Sequence, residues 1–357
     1  MKKSMKKLGA LAACAALTAG MLMGCGSSEK PAETAAATQA ASTEAAATEA
    51  AGTEAGTEAA GTEGKTYTVG ICQLVQHEAL DRATQGFQDA LTEKLGDQVT
   101  FDLQNAQGDS QTCSTIANQF VSNSVDLIMA NATPALQACA NATSEIPVVA
   151  TSITSFAAAL DIELDANCCT GKNVTGTNDL APLEEQAQMI QDLFPDVQQV
   201  GILYCSAEVN SVYQATHIAE CLDTMGIGHK DFSFSDSNDL QAVTTACASE
   251  CDVIYVPTDN VVSSNQNVID GVTRPAGIPI ICGEESQCTG CGLASLSIDF
   301  YDIGYAAGEQ AYDIMVNGTD PATIPIGDPT KLTRVYNPTI AEALGIEMGE
   351  EYKAIAE

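Results

Sequence analysis

The sequence predicts an α/β protein of two lobes, each a parallel sheet with helices on both faces. Three observations carry this. From Lys65 onward, short β-rich apolar runs alternate with segments whose apolar residues recur every three or four positions. Such alternation builds parallel sheets, because joining parallel strands takes a connection about as long as a helix. The series then restarts after GKNVTGTND (171–179), which reads as a crossing between lobes. Residues 65–357, about 290 in all, suffice for two lobes.

The first strand is KTYTVGICQL (65–74), continuous and β-rich. The helix after it places Leu80, Ala83, Phe87, Leu91 and Leu95 on one face. VTFDLQ (99–104) is the second strand. Gly108-Asp109-Ser110 turns into a helix lined by Ile116, Phe120 and Val121. VDLIMANA (125–132) is the third strand, and Thr133-Pro134 opens a helix, with Pro where its missing N–H costs little. IPVVATS (146–152) is the fourth. Beyond the crossing come a helix from Pro182 to Leu193, a strand QVGILYC (199–205), a helix from Ser211 and a strand KDFSFS (230–235). A helix over 237–248, a strand DVIYVP (252–257), a helix from Asn260 and strands IPIICG (278–283) and GLASLSI (292–298) follow. A helix from Tyr301 to Val316 and YNPTIAEALGI (336–346), a strand end plus a helix, complete the series.

Residues before Lys65 do not read as fold. Lys2, Lys3, Lys6 and Lys7 precede an apolar run from Leu8 to Met23, too short for a comfortable membrane span, and Leu22-Met23-Gly24-Cys25 follows. This is a secretory signal (1–24) whose ending resembles the bacterial lipoprotein signal, which implies a lipidated Cys25. Gly26 to Gly64 is a loose Ala/Thr/Glu/Gly repeat without large apolar residues, expected to be a disordered acidic tether. The formal net charge of −33 and the lack of a basic stripe exclude nucleic-acid binding. The 14 cysteines read mostly as small buried hydrophobes, since most fall in strands or on helices. Cys168-Cys169, Cys247/Cys251 and Cys288/Cys291 are also open to disulfide formation outside a cell. CTGC (288–291) has knuckle spacing without a second pair, so no metal site is expected.

In doubly wound sheets, ligands sit beyond the carboxyl ends of the strands. The segments there are Gln73–Asp81, Asn131–Pro134, Thr151-Ser152, Ser206–Ser211, Pro257–Asn260 and Gly283–Glu285. They are rich in donors and acceptors suited to a small polar ligand. VGICQLVQHEALDRATQGF, ANATPALQA, GKNVTGTND, NSVYQ, YVPTDN and DIGYAAGEQAYDIMVNG, in this order, resemble the ABC-transporter substrate-binding proteins of the branch that includes the tryptophan/tyrosine-binding lipoproteins. The resemblance spans Tyr67 to Ile346. It implies the type I periplasmic-binding-protein fold, with two Rossmann-like lobes and a ligand in the cleft. Lobe 1 would be 65–176 and 293–319, and lobe 2 177–292 and 320–357. It also implies capture of a small solute at the outer face of the cell membrane by a lipid-anchored monomer, and delivery to a membrane permease without chemistry. The sequence departs from the family after the fourth strand, where Thr151-Ser152-Ile153-Thr154-Ser155 lacks the Asp and Pro of a T-x-V-T-D-P stretch. The identity of the substrate is open at that loop.

The candidate ligand residues are Gln73, His77, Thr133, Pro134, Thr151, Ser152, Asn210, Ser211, Thr258 and Asp259. Thr133 before a proline is an N-cap, and its hydroxyl with the helix's free N–H groups also suits a carboxylate. Asp259 is either the cap of the helix from Asn260 or the partner of a ligand ammonium. Ser211 reads as a helix cap, and the resemblance places Asn210-Ser211 at the cleft. Gln73 ends a buried strand and needs partners for its amide; His77 stands on the rim. Asp81, in a first helical turn, reads as structural, and Tyr204, Tyr213, Tyr255, Tyr301 and Tyr305 read as core, with stacking on an aromatic ligand as the alternative for some of them. The three histidines form no H-E-x-x-H, and no G-x-S-x-G, phosphate loop or dinucleotide fingerprint occurs, so neither an enzyme nor a cofactor is expected. An aromatic or other apolar amino acid is the leading ligand. A sugar, a nucleoside or a sensory role remain the alternatives, and the absence of Trp weighs against sugars.

Overall fold

The computed structural model describes residues 64–355; the expected leader, Cys25 and the tether up to residue 63 lie outside the described residues. The first lobe runs β1 (Tyr67–Gln73), α1 (Glu78–Leu95), β2 (Val99–Asn105), α2 (Ser110–Asn123), β3 (Leu127–Asn131), α3 (Thr133–Ala142), β4 (Val148–Ile153), α4 (Phe156–Leu160) and β5 (Val174–Asn178). Its sheet is parallel throughout, in the order β2-β1-β3-β4-β5. The chain continues through α5 (Leu183–Leu193), β6 (Gln199–Cys205), α6 (Val209–Met225), β7 (Gly228–Phe234), α7 (Ser237–Glu250), β8 (Val253–Val256), α8 (Asn260–Ser264), α9 (Gln266–Ala276), β9 (Ile280–Cys282), α10 (Glu285–Gly290) and β10 (Ala294–Ser297). Then come α11 (Phe300–Met315), β11 (Thr333–Tyr336), α12 (Pro338–Leu344) and β12 (Lys353–Ala354). The second sheet has the order β12-β11-β10-β9-β8-β6-β7, parallel except where β11 runs against β10.

The apolar runs are continuous because helices cover both faces of the sheets. Along β1, Tyr67, Val69 and Ile71 pack with Phe87 and Leu91 of α1, while Cys72 joins Phe120 and Ile116 of α2 on the other side. Gly70 is required there, since a Cβ would press into the Phe120 ring. Helix α11 returns from the second half of the chain to lie on α1. A Cβ on Gly86 would collide with the Tyr301 carbonyl, and one on Gly304 with the Ala83 carbonyl, so the two helices meet backbone to backbone.

Four features differ from the sequence reading. The segment read only as a crossing contains β5: its Val174–Thr177 stretch is buried and pairs with β4, with Gly176 at φ +147° against the Ala150 carbonyl. The short helices α4 and α10 are held by their caps, Ser155 accepting from Ala158 N–H and Glu284 from Ser286 N–H. Strand β10, expected with lobe 1, lies in the second sheet, where Ala294 and Ser295 pair with Ile281 and Cys282 of β9 and Ala294–Ser297 runs against Thr333–Tyr336 of β11, while α11 packs on α1. Gly327, expected with lobe 2, bridges Thr177 at the edge of the first sheet.

The described cysteines are all free thiols, and all but Cys168 and Cys221 are buried. Among the described residues no group of three or more His, Cys, Asp or Glu could hold a metal ion, and no helix is long and apolar enough to cross a membrane.

Candidate functional site

The loops at the carboxyl ends of the two sheets enclose a cavity of about 300 Å³. The first lobe gives it Leu74 and Val75 after β1, Gln107 and Gly108 after β2, and Pro134 of α3. The second gives Cys205, Ala207 and Glu208 after β6, Asp236 after β7, and Asn260 and Val261 of α8. Helices α2, α3 and α7 begin at this wall, so their free N–H groups favour negative charge in it. The charged side chains lining it are Glu208 and Asp236, with no Lys or Arg.

Beneath the second lobe's wall lies a pair of buried carboxylates. Asp259 caps α8: its Oδ1 accepts from Val262 N–H at 3.0 Å and its Oδ2 from Cys205 N–H at 2.7 Å. Glu208 Oε2 accepts from Asn210 Nδ2 at 2.8 Å and from Asn260 Nδ2 at 2.7 Å. Asn210 Nδ2 also lies 3.3 Å from Ser211 Oγ, and Ser211 donates to Asp259. Burial pushes Glu208 up to about 7, and the Asp259 charge adds to it, against the bonds from Asn210 and Asn260. Burial raises Asp259 as well, against its bonds from Cys205, Val262 and Ser211. Asp259 is therefore the cap of α8 and fully buried, while Glu208 is the member of the pair that lines the cavity. The sequence reading passed over Glu208. Its signal was an acid between Ala207 and Val209 just past a strand end, where solvation alone would not call for burial.

The first lobe contributes polar groups that its own fold satisfies. Gln73 donates to Asp81 Oδ1 at 2.6 Å and to the Val75 carbonyl at 2.9 Å, and accepts from Thr84 Oγ1 at 2.7 Å. Its amide thus finds partners within its own lobe, and Asp81 acts as one of them. Thr133 is the first residue of α3 rather than its cap, which is Ala132 at φ 85°, and makes no capping bond. Thr151 bonds to Thr177 at 2.9 Å. Ser152 is held at φ 59°, and its hydroxyl is buried without a partner.

Among the described residues, two side-chain contacts bridge the lobes. His77 Nε2 lies 3.2 Å from Asn260 Oδ1, while its Nδ1 is buried without a partner. Thr154 Oγ1 accepts from Gln214 Nε2 at 2.9 Å and donates to Asp179 Oδ1 at 3.1 Å; Gln214 Oε1 accepts from Thr258 N–H at 3.0 Å. Burial pushes Asp179 up to about 7, against the Thr154 bond and with the Glu284 charge adding to it. Thr154, Asp179 and Gln214 were not among the expected site residues. Of those that were, Pro134 lines the cavity, Asn210, Ser211, Thr258 and Asp259 build the layer behind Glu208, and His77 meets that layer through Asn260. Thr151 and Ser152 lie beside the Thr154–Gln214 bridge in sequence, away from the cavity wall.

The architecture and the sequence both have relatives. A family model for ABC transporter substrate binding proteins matches residues 68–357. A tyrosine-binding protein of Clostridioides difficile (strain R20291) is 33% identical over 287 residues, covering 79% of this chain and 82% of that protein. The structure of an ABC domain from Streptococcus pneumonia in complex with L-Trp is 32% identical, with a TM-score of 0.76 over 80% of this chain and 97% of that one. The ligand-free, open structure of a substrate-binding protein with adhesive properties from Clostridium difficile is 31% identical, with a TM-score of 0.64 over 81% of this chain and 99% of that one. The chain belongs to the substrate-binding proteins of ABC transporters, binds a small molecule rather than transforming it, and has the type I periplasmic-binding-protein fold.

Proposed function

We propose that this protein captures an aromatic amino acid between its lobes and delivers it to an importing ABC permease. The observation that carries this is the charge layout of the cavity. Helix N-termini on both lobes suit a carboxylate, and a buried acid pair on the second suits an ammonium, with no cation lining the wall. A zwitterion needs both charges met, since a desolvated lone charge is expensive. Leu74, Val75, Pro134 and Val261 supply apolar wall, and the cavity lies at the small end of the range for small-molecule sites. The tyrosine-binding and L-Trp-bound relatives support an aromatic side chain.

The test is a thermal-shift screen of the purified protein against amino acids, sugars and nucleosides. A ligand at a hundred times its Kd adds about 2.7 kcal/mol of stability. L-Tyrosine or L-tryptophan should shift the melt, and 3-indolepropionate, which lacks the amine, should not. A shift with sugars and none with amino acids would reject the reading. We further propose that Cys25 carries lipid and holds a monomeric protein at the outer face of the cell membrane; Cys25→Ala should release it from the membrane fraction.

A further inference from the structure

We propose that this cleft trades a proton for its ligand's ammonium: the Glu208–Asp259 pair, two buried carboxylates joined through Asn210 and Ser211, holds one proton in the ligand-free protein and releases it to solvent when a primary ammonium binds. The inference rests on the amino-acid reading above and adds a proton to its binding equilibrium.

The geometry sets where the charge and the proton sit. Asp259 takes donors on both oxygens, from Val262 N–H, Cys205 N–H and Ser211, at the start of α8. It is therefore the better-stabilised anion of the two. Glu208 takes all its recorded bonds on Oε2, from Asn210 Nδ2, Asn260 Nδ2 and, at 3.3 Å, Asn260 N–H. Among the described residues no donor is recorded for its Oε1, and Glu208 is the member of the pair that lines the cavity. A second full negative charge so close to the first, in a site this buried, calls for a proton or a cation. The titratable groups facing Glu208 are Asp259 at the cap of α8, the Cys205 thiol at the end of β6, Asp236 across the cavity at the cap of α7, and His77 of the first lobe through Asn260. None is a Lys or Arg. Burial and Asp259 hold Glu208 at about 7, so the exchange falls in a range that is easy to measure.

The sign follows from linkage. An ammonium stabilises the ionised pair, so binding lowers the pair's proton affinity, and the proton leaves. Affinity then rises about tenfold per pH unit below the free pair's pKa and levels above it. The ligand's own amine stays protonated throughout, so the slope belongs to the protein.

The experiment is calorimetry of the purified protein with L-tryptophan from pH 5 to pH 8, with the points from pH 6 upward repeated in phosphate and in imidazole, which both buffer there and differ in ionisation enthalpy. At pH 6 the binding enthalpy should depend on the buffer, with close to one proton released, and the dependence should fade by pH 8. Glu208→Gln should abolish both the slope and the buffer dependence and weaken binding at pH 7.5 at least tenfold. His77→Ala should keep both, which separates the acid pair from the one histidine near it. Tryptophan binding with pH-independent affinity and no buffer dependence would overturn the proton exchange and leave the amino-acid reading intact. A slope lost in His77→Ala and kept in Glu208→Gln would overturn it equally. Should Glu208→Gln not fold, as its melt would show, the wild-type buffer series and His77→Ala still decide. If neither L-tryptophan nor L-tyrosine binds at any pH while another class of solute does, the amino-acid reading fails and the exchange with it.

Discussion

Single residues set whether the lobes hold together. Thr154 accepts from Gln214 of the other lobe and donates to Asp179, so Thr154→Val strips a partner from two buried groups. Leaving buried polar groups unpaired costs about 1–3 kcal/mol each. The variant should melt lower and bind ligand more weakly, as paired melting and calorimetry would show; unchanged affinity would make the bridge irrelevant to closure. His77 has one inter-lobe bond, to Asn260, and an unpartnered Nδ1. Its removal should cost about what one neutral hydrogen bond contributes, roughly 0.5–1.5 kcal/mol, read as a faster ligand off-rate. Gln73 and Asp81 satisfy each other within one lobe, so Gln73→Leu should damage stability more than ligand affinity.

At the scale of elements, α1 and α11 approach so closely that glycine is obligatory on both. Gly86 faces the Tyr301 carbonyl and Gly304 the Ala83 carbonyl. Gly304→Val would push the helices apart, a cost of about 1–3 kcal/mol or more for an overpacked site, checked by denaturant melts. The periodicity of both helices was legible from their apolar stripes. Their closeness was not, because it depends on which glycine of one helix meets which carbonyl of the other across more than two hundred residues of chain. Strand β5 shows the same limit: Val174–Asn178 lacks a long apolar run, and its burial comes from pairing with β4 and from α11 packing above it. Helix starts were legible in part: Asp109 and Asp259 bond to N–H groups three residues on, a local rule, whereas Ser155 also caps a helix that was not expected, and Thr133 and Ser211, expected as caps, lie inside α3 and α6.

For the whole molecule, the buried acids give stability an unusual dependence on pH. Burial raises Asp179 and Glu208 from the ordinary carboxylate range to about 7. A carboxyl whose folded pKa lies above its unfolded value binds more protons when folded. The protonated form is thus fully favourable below about pH 4, and its stabilisation is lost as pH rises through 7. The net charge of −33 adds self-repulsion in the same direction. The ligand-free protein should therefore melt higher at pH 5.5 than at pH 8. Asp179→Asn should reduce that difference, since it removes one of the buried acids whose affinity for a proton is raised. A melt that rises steadily with pH would contradict this.

The sequence by itself determined the alternation of strands and helices, the two-lobe α/β class, the family, and the polar loops at the strand ends. These follow from periodicity, capping and turn chemistry, which act between residues close in the chain. Tertiary structure decided the rest. It placed β10 in the second sheet. It turned Gln73 toward Asp81, buried Asp259 as a cap and put Glu208 on the cavity wall. Those outcomes depend on which distant side chain supplies the missing donor or removes the water. Burial and long-range hydrogen bonding, not local sequence, fix where a charge ends up and whether it keeps its proton.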